Sequence, residues 1–522
     1  MDCVVGSGPA GVACTAALLE HGRSVLMLDA GLRLEPDRAR LVDRLGQLPV
    51  QEWPAHDLGR IMEGMNPGSA GIPQKLLFGS DYPYRDAERE LGVEYGGAGL
   101  RASLALGGLS TVWGSAMLPY RQADITDWPI TTQVLEPHYR AAVALTGLAA
   151  ERDGLAELFP LFLDDPARLE LSRQAKAMAT AMAGNLAVLR ANGIHHGRAR
   201  VAIQGAGSAG GCVHCGLCMY GCAYGCIYNS ATTVTRWATN PNFKYQPDVV
   251  VDSVAESSGS ASVRGHRRGT DEPLEFEVDR VYLAAGVVAT TGVVLRSLVR
   301  RNSPVFLKDS QYFLLPALLM KRVCGVRSEP LHALSQLFVE LLDATISPHT
   351  VHLQLYTYND LIGRSVQNML GPLKRPLDFL ARELEGRLVL FQGFVHSADS
   401  SQIAVTLTAA DKLELEPVIN PRAREVVGKV ARKLLRNSRR LGAVPLPMML
   451  QFATPGRSFH AGGSFPMRAN PNALETDTLG RPGGWKRIHA VDATVFPSVA
   501  ATTITFTAMA NAHRIATETC RQ

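Results

Sequence analysis

Apolar and polar positions follow a clear rhythm over residues 1–31. Cys3–Val5 is a short apolar run, the pattern of a strand buried on both faces. Gly6, Gly8 and Gly11 follow, then a stretch in which Leu18 and Leu19 give a helix its apolar face. Ser24–Leu28 is a second apolar run, and Asp29 ends it. Strand, glycine turn, helix, strand and acid in this order predict a βαβ unit. After Gly31 the rhythm is lost. Residues 32–90 are irregular and punctuated by Pro and Gly, as in Met65–Gly68 and Tyr82–Tyr84, and predict a long excursion at the edge of a second lobe. Helical patterning returns at 127–142, where Trp128-Pro129 precedes an amphipathic helix that starts near Thr131. From 305 to 450 the pattern is mixed. Val351–Tyr358, Leu388–Val395 and Gln402–Thr408 have the composition of strands, while 329–343 and 421–441 read as helices around them. No internal repeat or low-complexity tract is seen.

The first unit carries chemistry. Gly6 permits the tight turn, Gly8 lets backbone approach a pyrophosphate, and Gly11 lets the helix lie on the sheet. The helix start then offers free N–H groups to phosphate. An acid at Asp29 is placed to grip a ribose hydroxyl, which favours FAD or NAD over NADP. Gly107 and Gly108, beside Trp113 and Gly114, form a second glycine-rich turn suited to close backbone approach.

Composition narrows the classes. The chain has 522 residues, 46% hydrophobic and 19% charged, so it is globular with room for more than one lobe. A net charge of +5 is mild for that size and gives no reason to expect nucleic acid. The Arg264–Arg268 and Arg432–Arg440 groups read as solvated faces. No apolar run of about 18 residues indicates a membrane span. With no secretory signal before the first strand, the cytoplasm is the expected location; the alternative is the periplasm, reached by co-export with a signal-bearing partner subunit.

Several of these segments together resemble the FAD-dependent glucose–methanol–choline oxidoreductases. They are the VVGSGPAG start, GGLSTVWG at 107–114, DWPI at 127–130 with Leu135, Pro137 and Tyr139, LAAGVVATTGVVLRS at 283–297, SFHAGG at 458–463, and VDATVFPSVAATTITFTAMANAHRIA at 491–516. The resemblance covers about half the chain, the FAD-binding parts. It implies an α/β fold: a Rossmann-like, glutathione-reductase-like FAD-binding domain with a discontinuous α+β substrate domain on an antiparallel sheet. The expected FAD domain is 1–45, 90–150, 200–300 and 455–522. The substrate domain is 46–89, 151–199 and 301–454. The implied FAD contacts are Gly6, Gly8, Pro9, Ala10, Gly11, Asp29, Ala30, Gly107, Gly108, Ser110, Trp113, Gly114, Ala285, Gly286, Asp492, Ala493, Thr503, Ile504 and Thr505. The last helix would aim its N-terminus at the flavin's pyrimidine end.

Alcohol oxidation needs a base for the hydroxyl proton and an acceptor for the carbon-bound hydride, here flavin N5. Histidine suits the base. His460 stands in the family's motif, among small residues that leave room for flavin and substrate. The family's second His or Asn falls on Thr503, which can orient a substrate oxygen but is no base near neutral pH. His489 and His513 read as structural. Tyr356, Tyr358, Phe391 and Phe394 are pocket candidates, with core packing as the commoner use.

Five of the nine cysteines fall in GCVHCGLCMYGCAYGCIYNS, residues 211–230. Cys212, Cys215, Cys218 and Cys222 have the spacing of a bacterial iron–sulfur run without its final proline, and Cys226 is an alternative ligand. Three readings stand: an iron–sulfur cluster, tetrahedral zinc, or metal-free thiols. A cluster would pass electrons from flavin to an external acceptor and make a dehydrogenase. Without it, oxygen would be the acceptor and the enzyme an oxidase. A non-redox, lyase-like use of the same fold is a third possibility, given the missing His or Asn. The expected substrate is a small alcohol, sugar, glycoside or polyol.

Overall fold

Asp2–Val5 is wholly buried and forms the middle of a parallel sheet. In the computed structural model, which describes residues 1–64, 74–204 and 210–522 (side chains at 373–374 apart), the order across that sheet is Ile488–Ala490, Val281–Leu283, Asp2–Val5, Val25–Leu28, Phe243–Gln246. All its neighbours run parallel, and apolar side chains cover both faces, as crossover connections require. Helix Pro9–Glu20 lies on one face against helix Ile504–Cys520, so the two ends of the chain meet in one core. Helix Val287–Ser297 packs in the other core.

The second lobe is an antiparallel sheet in the order Ala443–Pro445, Tyr312–Leu319, Leu388–Phe394, Val351–Tyr356, Leu337–Leu341, Ile194–Arg198. Its two faces are sorted by the two-residue period of a strand. Phe313, Leu315, Leu353, Leu355, Val389 and Phe391 fill the core beneath it, with helix Arg422–Arg436 as backing. The intervening residues, among them Tyr312, Gln354, Tyr356, Gln392 and Phe394, face a cleft between the lobes.

Three local expectations change. The helix read at 329–343 is strand Leu337–Leu341, because LFVEL alternates two buried faces between neighbouring strands. The strand read at 402–408 forms, as Gln402–Leu407, but pairs with Val305–Asp309 and Leu413–Val418 in another sheet. Residues 32–90 are not wholly irregular: Pro36–Gly46 and Ala55–Ile61 are helical, each started by a proline at or just before the first turn. Met65–Gly68 lies outside the described residues. The amphipathic helix near Thr131 is Thr132–Thr146. No helix among the described residues is long and apolar enough to cross a membrane.

Candidate active site

The cleft encloses about 1080 Å³, at the upper end of what a single drug-sized ligand occupies. Its inner half is the glycine turn. Gly6 has φ +101°, and a Cβ on Gly11 would stand 1.9 Å from the Gly6 carbonyl oxygen, so neither position admits a side chain. A Cβ on Gly8 or Gly286 would meet nothing within 4 Å: there the backbone borders open space. Asp29 ends its strand buried in the same wall. Its carboxylate accepts from the Ser7 hydroxyl at 2.6 Å and from Tyr245 at 3.1 Å, and burial pushes its pKa up to about 6 despite those bonds. The Ser7 hydroxyl in turn accepts from the Gly107 N–H at 2.8 Å, which ties the second glycine turn to the first.

Of the expected cofactor contacts, all line this cleft except Gly11 and Gly107. Gly11 serves helix–turn packing. Gly107 has φ +88° and sits where a Cβ would lie 2.4 Å from the Asn229 amide oxygen, so it is small for the 229–231 helix start. Asp492 spends its carboxylate on the Gly286 N–H at 3.0 Å and the Thr290 hydroxyl at 2.6 Å, locking the closing segment to the turn at 284–286. The Trp113 indole donates to the Tyr228 carbonyl at 2.8 Å.

His460 is set by its neighbours in sequence and by one distant acid. Phe459 turns the chain through φ +57°. The His460 N–H donates to the Ser458 hydroxyl at 2.9 Å, and that hydroxyl donates to buried Asp309 at 2.7 Å. Asp309 also accepts from the Gly456 N–H at 2.9 Å, and burial raises its pKa to about 6. The His460 ring stacks on Phe394 with centroids 4.7 Å apart. Its Nδ1 is buried without a protein partner. Desolvation, helped by His352, lowers its pKa to about 3, so the imidazole is neutral at physiological pH. Of the small residues after it, Ala461 lines the cleft, whereas the glycines serve packing: a Cβ on Gly462 would stand 2.3 Å from the Ala493 carbonyl and one on Gly463 2.5 Å from that of Phe496. They let the closing segment approach.

Thr503 lines the same cleft as His460, at the N-cap of helix Ile504–Cys520. Its hydroxyl accepts from the Leu118 N–H at 3.1 Å. His489 bonds the Leu479 carbonyl at 2.9 Å, and His513 meets His138 at 2.9 Å; both are structural. Among the aromatic candidates, Tyr356 and Phe394 line the cleft, Phe391 is core, and Tyr358 packs on Gly363.

The cysteine loop lies beside the cleft. Backbone N–H groups of His214, Ala333 and Cys226 approach the sulfurs of Cys212, Cys218 and Cys222 at 3.3–3.4 Å. A hydrogen bond from Cys226 pulls the Cys222 thiol down to about 6, while burial pushes Cys215 up to about 11. Among the described residues, however, no group of three or more His, Cys, Asp or Glu side chains is arranged to hold a metal ion. The thiols of Cys212, Cys215, Cys218, Cys222 and Cys226 lie within electrostatic reach of one another, but the iron–sulfur and zinc expectations find no support in their arrangement. Between loop and cleft stands Lys75, which donates to the Trp113 carbonyl at 3.2 Å; its enclosure lowers its pKa to about 8, against the pull of Cys218 and Cys222.

Sequence reasoning missed Ser7, Asp309, Ser458 and Lys75. Ser7 was legible from its place between two motif glycines. Asp309 lies about 150 residues from the residue it positions, and no local signal marks it.

No family model and no curated sequence matches the chain. Solved structures do match. Pyridoxine 4-oxidase from Mesorbium loti superimposes with TM-score 0.62 at 14% identity, over 100% of this chain and 99% of that one. A formate oxidase superimposes with TM-score 0.61 at 15% identity, over 99% and 97%. An Aspergillus oryzae RIB40 formate oxidase, described in connection with FAD modification, gives 0.60 at 15% identity over the same shares. The chain shares their fold.

Proposed function

We propose that this chain is an FAD-dependent oxidoreductase of the glucose–methanol–choline type that oxidises a hydroxyl group. The observation that carries the reading is the convergence on one cleft of the open glycine turn at Gly8 and Gly286 and of a neutral histidine with an unpartnered ring nitrogen. The cleft residues suit the cofactor: the open backbone takes pyrophosphate, Asp29 stands at the ribose end, and the N-terminus of Ile504–Cys520 borders the opposite end. Bound FAD supplies the hydride acceptor. His460 takes the hydroxyl proton, Thr503 orients the substrate oxygen, and Asp309 holds His460 in place through Ser458. The division into an FAD-binding and a substrate domain belongs to the same reading.

The acceptor we favour is dioxygen, because the similar structures named above are oxidases. Transfer to an external carrier past the cysteine loop is the second reading, favoured by Lys75, which donates to Trp113 within electrostatic reach of Cys218 and Cys222.

The test is the visible spectrum of purified protein during an anaerobic alcohol screen. Bleaching of the flavin bands by an alcohol, followed by peroxide release on readmitting air, is expected. Bleaching without peroxide, with dye reduction and iron in the protein, would shift the acceptor to the second reading. A flavin that no alcohol bleaches would refute hydroxyl oxidation.

A further inference from the structure

The cleft changes character along its length. At the His460 end the sheet offers Phe394, with Gln354 and its partner Gln392 one step along. The Tyr356 hydroxyl donates to the Gln354 amide oxygen, and the Gln354 amide meets His352, whose other ring nitrogen lies 2.7 Å from buried Glu340. Moving along the paired strands away from His460, the same face turns mainly apolar: Gln392 is opposite Leu314, then Leu390 lies between Pro316 and Tyr356, whose hydroxyl is turned back to Gln354. Leu390 is four residues from Phe394, so the apolar wall begins within about 13 Å of the histidine.

Helix Asp360–Leu370 borders the same stretch. Ile362, Val366 and Met369 recur at helical spacing and line the cleft. They belong to none of the apolar clusters that fill the lobes. Val366 is 1% exposed. At the mouth the apolar surface continues into solvent: Met369 is 70% exposed, and Met449, which also lines the cleft, is 45% exposed. A polar lining at the reacting end and an apolar lining beyond it match a molecule with the same division.

We propose that this outer channel binds the apolar body of an amphiphilic alcohol, with its carbinol at His460 and an alkyl, isoprenoid or ring body along Leu314, Leu390 and the 360–370 helix. The inference rests on the hydroxyl-oxidising reading above and narrows its substrate class. A free sugar or polyol is disfavoured, because its outer hydroxyls would lose water against Leu314, Pro316, Leu388, Leu390 and Ile362, where polar side chains are few.

The test uses alcohols that bind but cannot lose a carbinol hydride, the 2-methyl-2-alkanols. Isothermal titration of the holoprotein across chain lengths from butanol to decanol analogues is expected to show affinity rising roughly fourfold per methylene. The slope is expected to fall in Ile362→Asn and in Met449→Asn, with retained flavin absorbance as the folding control. Affinity independent of chain length, glycerol or methyl glucoside binding as tightly as the octanol analogue, or an unchanged slope in both variants would each overturn the assignment. Primary alcohols in the same series report separately on flavin bleaching. Loss of bleaching with the slope intact would sink the oxidoreductase reading and leave the channel; bleaching without a slope would do the reverse.

Discussion

His460 is held at three points: its N–H on Ser458, its ring on Phe394, and its loop on Asp309. A positioned base of this kind contributes about 10²- to 10⁴-fold, so His460→Ala is expected to slow flavin reduction by that order while flavin stays bound, read by stopped-flow absorbance. The pKa near 3 fixes the sign of the pH response. Lowering a histidine's pKa keeps it unprotonated, and so free to accept a proton, down to acid pH, while making it a weaker base. The kcat/KM profile should then lack the rise between pH 6 and 7 that an unperturbed histidine gives; an inflection there that disappears in the alanine variant would contradict the depressed pKa. Asp309→Asn keeps the size of the side chain and weakens its hold on Ser458 and Gly456. It is expected to lower the rate of flavin reduction with little change in substrate KM, as a positioning residue would.

Among the elements, the glycine turn makes a sharp contrast. Gly11→Ala puts a methyl into the Gly6 carbonyl and should lower the melting temperature by about 2 °C for a cost of about 2 kcal/mol in a chain this long. Gly8→Ala meets nothing in the protein, so the melting temperature of the flavin-free protein should hold while FAD affinity falls. Equal destabilisation in both would show that the cleft at Gly8 is not open. In the cysteine loop, the depressed Cys222 thiol and exposed Cys324 are expected to react first with iodoacetamide at pH 7, with buried Cys3 and Cys14 silent, as mapped by peptide mass spectrometry. Protection of Cys222 that ends when iron is chelated would restore the cluster reading.

Across the whole molecule, several histidines are buried in their neutral form. Burial takes His138, His332 and His460 down to about 3, and His396 and His489 to about 4. An unfolded chain takes up protons on these groups as pH falls below about 6.5, whereas the folded chain does not, so stability is lost progressively from there down. Asp29 and Asp309, both raised to about 6, act in the opposite sense over part of that window. His195, His196, His214 and His513 are lowered as well, and Asp153 and Asp492 raised, so nine histidines oppose four carboxylates and the urea midpoint should fall between pH 7 and pH 4; a flat or rising midpoint would refute the burial of neutral imidazoles.

The βαβ start, the glycine turns, His460 and the closing segment were legible because each is a local pattern whose chemistry depends on residues near in sequence. The sheet floor was legible in part: alternation marked 351–356 and 388–394 as strands, but a single sequence does not say which face of a strand meets a cleft. Thus Tyr356 and Phe391, alike in composition, went to opposite sides. LFVEL at 337–341 was misread because a short apolar run fits a buried strand or a helix equally until neighbours pair with it. The cysteine spacing predicted a ligand set, yet convergence of thiols is a matter of three-dimensional distance. Asp309 beneath His460, Lys75 between loop and cleft, and the apolar channel beyond Gln392 were decided by tertiary structure alone. Each depends on which distant segments the packing of two lobes brings together, and no local periodicity records that.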